Sequence, residues 1–359
     1  MKRKLVFPVT AAVLIGAILF NLIYFGVQCY SASPLGEKSA QERENEKQDF
    51  IKWVDFNVPY GAMEKALQID IDAHAQGIER DWVDLLAYLG AKYGGEWKKY
   101  KAAHLDELTA KLNEGETIES LTSSMNYFSY YQEAYDAVLG GMVGEWKLSK
   151  EQDAAGNPIY EDYYGLKAYS PIAYSYSFSH YDDFGNSRSF GYQRRHLGND
   201  LLGSIGTPII AVESGTVEAL GWNRYGGWRI GIRSLDGKRY YYYAHLRKGH
   251  PFQEGLKEGD QVQAGDVIGY LGMTGYSDQE DVNGMTKPHL HFGMQLIFDE
   301  SQKEGNSEIW IDVYQIVKLL KKHCSVVERV EEKKEYVRQY QMIDPILEEK
   351  NREKMGKIS

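Results

Sequence analysis

Gly206-Thr207-Pro208-Ile209-Ile210-Ala211-Val212-Glu213-Ser214-Gly215-Thr216-Val217-Glu218-Ala219-Leu220 is the stretch whose reading decides the fold of this chain. It holds two short apolar runs, Pro208 to Val212 and Gly215 to Leu220, separated by Glu213-Ser214. Runs of this length bounded by glycine and serine read as strands rather than helices. Two more follow at hairpin spacing, Trp228-Arg229-Ile230-Gly231-Ile232 and Arg239-Tyr240-Tyr241-Tyr242-Tyr243-Ala244-His245, with Asp236-Gly237 as the turn before the second. Together they predict an antiparallel β domain. It closes near Trp310-Ile311, after which Val313 to about Leu320 reads as helix.

Upstream the pattern is different. From Ile51 to about Lys147 apolar residues fall at helical spacing, as in Tyr60 to Leu67 and Asp81 to Leu89, with breaks at Gly90, Gly94-Gly95 and Gly140-Gly141. The carboxylates Glu64, Asp70, Asp72 and Glu79, with His74 nearby, allow an acid/base pair here, but a solvated helix face explains them more simply. Residues 148–195 are a Tyr-, Ser- and Asp-rich approach to the β segments. From Glu328 the charges alternate, as in Glu331-Glu332-Lys333-Lys334-Glu335, which reads as an exposed helix or a partly disordered end.

The first thirty residues carry a separate signal. Lys2, Arg3 and Lys4 precede Leu5 to Val27, an uncharged, mostly apolar run of 23 residues. As a helix it spans roughly 34 Å, enough to cross a bilayer core. A long apolar run with no clean cleavage site after it favours a retained anchor over a signal peptide. The basic triplet then stays in the cytoplasm and the bulk of the chain lies outside. The expectation is an α+β protein of the cell membrane, single-pass. Residues 1–30 give the basic start and transmembrane helix, 31–50 a polar linker, 51–150 a small α-helical domain, 151–315 the antiparallel β-sheet domain and 316–359 a charged helical tail. A net charge of −10 argues against nucleic acid as a partner. The two cysteines, Cys29 and Cys324, build no disulfide framework.

Chemistry concentrates in three short segments: His196-Leu197-Gly198-Asn199-Asp200, Ala244-His245-Leu246 and His289-Leu290-His291. Of nine histidines, four fall here. Imidazole nitrogen and carboxylate oxygen are ordinary zinc donors, and a catalytic site needs three plus an open position. Two histidines at i and i+2 on a strand face the same way, so one can hold metal while the other meets substrate. His74, His104, His180, His250 and His323 lie outside these segments and read as ordinary core or surface residues.

Over about Arg195 to Phe292 the chain resembles the lysostaphin-type (LytM-like) zinc metallopeptidases, which cut peptide bonds in bacterial peptidoglycan. The resemblance covers Gly206 to Val217, Tyr243-Ala244-His245-Leu246, the glycine-rich Gly259 to Gly269 with Gly272-Met273-Thr274-Gly275, and Pro288-His289-Leu290-His291-Phe292. It implies that His196, Asp200 and His291 ligate one zinc ion, that His245 and His289 are the catalytic pair, and that peptidoglycan peptides are the substrate. It also implies a tyrosine assisting the transition state near the aromatic run Tyr169 to Tyr192, without fixing which one. Some members of the family have lost ligands and act as scaffolds or activators, the alternative to an enzyme; here all five positions are filled. The polar loop from Tyr276 to Thr286 is placed to shape or cover the groove.

Overall fold

The computed structural model describes residues 50–356. The anchor read over residues 1–30 and the linker up to residue 49 lie outside them. Among the described residues no helix is long and apolar enough to cross a membrane.

Five helices open the described chain: α1 (Tyr60–His74), α2 (Trp82–Tyr93), α3 (Ala103–Asn113), the short α4 (Ile118–Thr122) and α5 (Phe128–Leu139). α2 shows why. Asp81 caps its start by accepting from the Val83 amide at 2.7 Å, and Gly94 ends it with φ 63°. Between them Trp82, Leu85, Leu86 and Leu89 recur at helical spacing and are buried.

A long hairpin follows, β1 (Val143–Gln152) with β2 (Pro158–Leu166). Next come β3 (Ser179–His180), the hairpin β4 (Ser187–Phe190) and β5 (Tyr192–Arg195), then β6 (Asn199–Leu202) and β7 (Pro208–Ile210). The heart of the sheet is β8 (Gly215–Asn223), β9 (Gly227–Ser234) and β10 (Arg239–Ala244), followed by β11 (Gln261–Val262), β12 (Val267–Tyr270), β13 (His289–Leu296) and β14 (Ile309–Ile311). The main sheet has eight strands in the order β11-β8-β9-β10-β13-β6-β3, with β14 also on β13. Its strand pairs are antiparallel, as the sequence pattern predicts.

Alternation divides the sheet into a packed face and an open one. On β13, Leu290, Phe292, Met294 and Leu296 are wholly buried, so His289 and His291 point the other way. On β10 the same rule buries Tyr241 and Tyr243 and turns Tyr240 and Tyr242 to the open side. The packed side and the helices share one apolar core running from Trp82 and Leu89 to Ile232, Tyr243 and Phe292. A buried Arg239 fastens the two layers: it forks onto Glu213 at 2.8 and 3.1 Å and donates to the carbonyls of Asp136 and Ala137 at the end of α5.

The C-terminal part corrects an expectation. α6 (Tyr314–Leu320) is helical where the pattern predicts it, and α7 (Pro345–Gly356) ends the described chain. Between them the expected helix gives way to a hairpin, β15 (Val327–Val330) with β16 (Glu335–Arg338), and to β17 (Gln341–Ile343) on β1. The alternating charges at residues 331–334 are the hairpin turn, in water. Glu335 is buried against the Tyr270 hydroxyl and His250, and Met342 enters a second core with Trp146 and Tyr270. Those long-range partners leave no local period for sequence reading to find.

Candidate metal centre

β6 and β13 run side by side with Asp200 opposite His291, and Ala244 of β10 flanks His291 on its other side. His196 reaches the same spot from the turn before β6. Its Nε2 lies 2.8 Å from His291 Nδ1 and 3.0 Å from Asp200 Oδ1, and His291 Nδ1 is 3.4 Å from that same oxygen. The close approach depends on Gly198, where a Cβ would come within 2.6 Å of the Phe292 carbonyl oxygen and 2.8 Å of the His291 ring.

The donor chemistry fits a metal ion. His196 Nδ1 faces the carbonyl oxygen of Asp183 at 3.0 Å. A carbonyl only accepts, so Nδ1 carries the proton and the Nε2 lone pair of the neutral ring points at the cluster. Asp200 Oδ1 is buried without a well-formed hydrogen bond, while Oδ2 accepts from Arg188 at 3.0 Å. An orphaned carboxylate oxygen between two imidazole nitrogens is a polar group that needs a cation. A proton can answer the same carboxylates: burial opposes charge on His196, but Asp183 and Asp200 outweigh it and raise the ring to about 9, so a metal ion must displace the Nε2 proton to bind. Burial likewise opposes charge on Asp200, yet His196, His291 and His289 hold its carboxyl well below the usual range. These three residues are the group of metal-binding side chains found among the described residues.

His245 and His289 stand next to this cluster, with ring centroids 4.7 Å apart. His245 leaves β10 with φ 63°, a left-handed backbone that few non-glycine residues adopt. Its amide donates to the Gly226 carbonyl at 2.7 Å and its Nδ1 to that of Thr274 at 2.8 Å. His289 Nδ1 donates to the Lys287 carbonyl at 2.9 Å. Both rings therefore keep Nε2 as the free acceptor. His289 Nε2 lies 3.7 Å from Asp200 Oδ1. Burial, with His289 and His291 as neighbours, holds His245 well below the ordinary imidazole range, in its neutral form.

The site opens on a groove of about 570 Å³ walled by Tyr225, Tyr240, Tyr242 and Tyr276. The loop from Tyr276 supplies part of the wall through Tyr276 and Met285. It is tied down by Asp281, which accepts from the Trp228 indole at 2.8 Å and the Gly249 amide at 2.7 Å. The aromatic run before His196 divides. Phe190 stacks behind Tyr276 at 5.1 Å and Tyr192 packs edge-on against Tyr225 at 5.9 Å, whereas Tyr169 belongs to the second core.

Several important residues carry no sequence signal. Asp183 holds His196 and also accepts from the Asp200 amide at 3.2 Å, and Arg188 bridges Asp183 and Asp200. Thr274 anchors His245 through a backbone carbonyl, which any residue type offers. Of the carboxylates of the helical region, Asp70 and Glu79 line a separate cavity with His74, and Glu64 and Asp72 are not part of it. Asp70 is buried, accepting from the Tyr164 hydroxyl at 2.6 Å and the Trp82 amide at 2.9 Å, Glu64 pairs with Lys322, and Asp72 accepts from Gln68. His74 stacks on Tyr164, His104 bonds Tyr93 and His323 bonds the Ala168 carbonyl, all away from the cluster.

Residues 194–304 match the model of Peptidase family M23, which bears out the lysostaphin-type resemblance. The chain is 36% identical to the L-Ala--D-Glu endopeptidase of Bacillus subtilis over 162 residues, 42% of this chain and 48% of that protein. It is 43% identical to lysostaphin of Staphylococcus simulans over 98 residues, 27% of this chain and 17% of that protein. Among solved structures it resembles a candidate glycyl-glycine endopeptidase lytM from Ruminococcus gnavus, 21% identical with a TM-score of 0.48, covering 74% of this chain and 89% of that one. The chain spans about half, or less, of the length of these curated relatives.

Proposed function

We propose that the protein is a zinc endopeptidase that hydrolyses peptide bonds in bacterial peptidoglycan. One observation carries the reading: His196 Nε2, His291 Nδ1 and the orphaned Asp200 Oδ1 converge beside the adjacent pair His245 and His289. His196, Asp200 and His291 would hold the ion. Three protein ligands suit a catalytic zinc, which supplies Lewis acidity and lowers the pKa of a water to about 7. The relatives include proteins named L-Ala--D-Glu endopeptidase and peptidoglycan DD-endopeptidase, and those names support the same reaction and class of substrate.

The chain's own residues supply the rest. Asp183 and Arg188 fix His196 and Asp200, so the ligands are set before substrate arrives. His245, neutral and held by Thr274, is in the state to accept a proton at Nε2. His289, more open to the groove, presents its Nε2 lone pair and is placed to orient the attacking water, while the proton taken up by His245 passes to the leaving nitrogen as the C–N bond breaks. The tyrosine walls orient an extended peptide across them. The apolar segment Leu5 to Val27 completes the proposal: it holds the enzyme at the outer face of the cytoplasmic membrane, within reach of newly made wall.

The experiment is to incubate the full chain with zinc and purified peptidoglycan and to count new amino termini. We expect them to appear, to vanish on chelation, and to be lost in His291→Ala. Full activity in that variant would remove the ligand assignment. Membrane fractionation of the full chain against a chain lacking residues 1–30 tests the anchor.

A further inference from the structure

The protein is acidic overall, yet its groove is lined by guanidinium groups. Three of the cations there are committed: Arg188 to Asp183 and Asp200, Arg224 beside the rim to Asp278, and Lys303 to Glu218. Among the described residues the side chains of Arg194, Arg229 and the exposed Arg195 carry no hydrogen bond or ion pair. Arg194 is held without one. Its guanidinium lies between the Tyr225 and Tyr276 rings, 4.5 and 4.8 Å from their centroids, and its Nη1 is buried without a partner. Phe190 and Tyr192 brace those two rings from behind.

Arg194 is half-buried with Nη1 unpartnered, and the two rings it stacks on leave its edge for a ligand. The edge of a guanidinium is a planar fork of N–H donors that matches a carboxylate. Tyr276 also packs edge-on against His245 at 6.0 Å between centroids, so the fork stands one aromatic ring from the proposed catalytic pair. Arg229 lies on β9 on the open face, since its neighbours Ile230 and Ile232 are buried. Arg194, Arg229 and Tyr242 line the same groove, and Tyr242 lies 5.8 Å from the ring of His291.

We infer that the groove recognises a peptide through a free carboxylate close to the cleaved bond, with Arg194 as the residue that binds it and Arg229 adding charge beside it. This rests on the endopeptidase reading above and narrows it: an anionic stem peptide satisfies the arginines, and an uncharged glycine bridge leaves them unpaired. Clamping between two rings means that little side-chain freedom is lost when the carboxylate docks, so the arginine acts as a specificity determinant at low entropic cost.

The test uses the full chain with zinc and three probes: the tetrapeptide alanyl-γ-glutamyl-lysyl-alanine with its glutamyl α-carboxyl free, the same peptide with that carboxyl amidated, and pentaglycine. Cleavage is followed by mass spectrometry and binding by calorimetry. The free-carboxyl peptide should exceed the amidated one in kcat/KM by about tenfold or more, the scale of one charged hydrogen-bonded contact. R194Q should lose that advantage, chiefly in KM, so that it no longer distinguishes the free-carboxyl peptide from the amidated one. Equal cleavage of both peptides, or pentaglycine as the preferred substrate, overturns the inference and leaves the endopeptidase reading standing. Carboxylate-dependent, Arg194-dependent binding without cleavage keeps the inference and removes the endopeptidase reading. Absence of both binding and cleavage removes the two together.

Discussion

Asp183 holds His196 by its backbone, the carbonyl oxygen accepting from Nδ1 at 3.0 Å, while its carboxylate takes Arg188 at 2.6 Å and the Asp200 amide at 3.2 Å. One residue thus aligns two of the three proposed ligands. Partners of metal ligands at this distance typically affect metal affinity by about 10- to 100-fold. Asp183→Ala should lower zinc affinity by that order, measured by competition with a chromophoric chelator, with activity falling in step at limiting zinc. Unchanged affinity would show that the backbone contact alone orients His196.

Gly198 sets how close the ligands come. A Cβ there meets the Phe292 carbonyl oxygen at 2.6 Å and the His291 ring at 2.8 Å, and neither can withdraw, since Phe292 is buried in β13. Gly198→Ala should therefore force the turn away from β13, with zinc stoichiometry dropping below one per chain. Overpacking of this kind costs about 1–3 kcal/mol, so melting should show a lower Tm as well. A variant that binds one zinc with parent affinity would falsify the packing account.

How much of this was legible in the residues depends on the range of each interaction. Strands β7 to β10 and the direction of His289 and His291 follow from local alternation, and the five positions proposed for the metal centre and the catalytic pair come from the family resemblance that the order of the motifs carries. Asp183 and Arg188 did not stand out, because their partners are distant in sequence and their spacing carries no period. Arg194 was hidden for a different reason: its meaning comes from Tyr225 and Tyr276, on two separate loops, closing on it from either side. The hairpin at residues 327–338 was lost to a charge pattern that suits a helix face and a solvated turn equally well. Its strands are fixed by Glu335 finding Tyr270 and His250.

His180 makes the protein sensitive to acid. Both its ring nitrogens are buried without a hydrogen bond, against Tyr314, and burial together with Lys321 and Lys318 lowers its pKa to about 4 despite Asp183. The folded state therefore binds a proton less readily than the unfolded chain, whose histidine titrates near 6.5. Stability from this residue is full above pH 6.5 and is lost as pH falls from 6.5 towards 4, by up to about 3 kcal/mol at the lower end. His180→Phe should flatten that acid limb in urea titrations at pH 7, 5.5 and 4.5. An unchanged difference between pH 7 and 4.5 would assign the acid loss to other groups.

Arg239 joins the helical layer to the sheet, and its removal separates two effects. It is wholly buried, with its fork on Glu213, a further bond to Asp236 at 2.8 Å and two bonds to carbonyls ending α5. Burial disfavours its charge, but Glu213 beside it keeps it ionised. Arg239→Met leaves Glu213 buried beside the Tyr241 hydroxyl with no cation, and it strands the α5 carbonyls. Breaking one side of a buried pair costs about 3–5 kcal/mol, whereas replacing both sides with apolar groups of similar volume is often close to neutral. The double variant Arg239→Met, Glu213→Leu should thus recover part of the loss, and the unrecovered part measures what the carbonyl contacts to α5 contribute. Equilibrium urea unfolding gives both numbers. A loss under about 1 kcal/mol in Arg239→Met would mean that the apolar core alone holds the helices on the sheet.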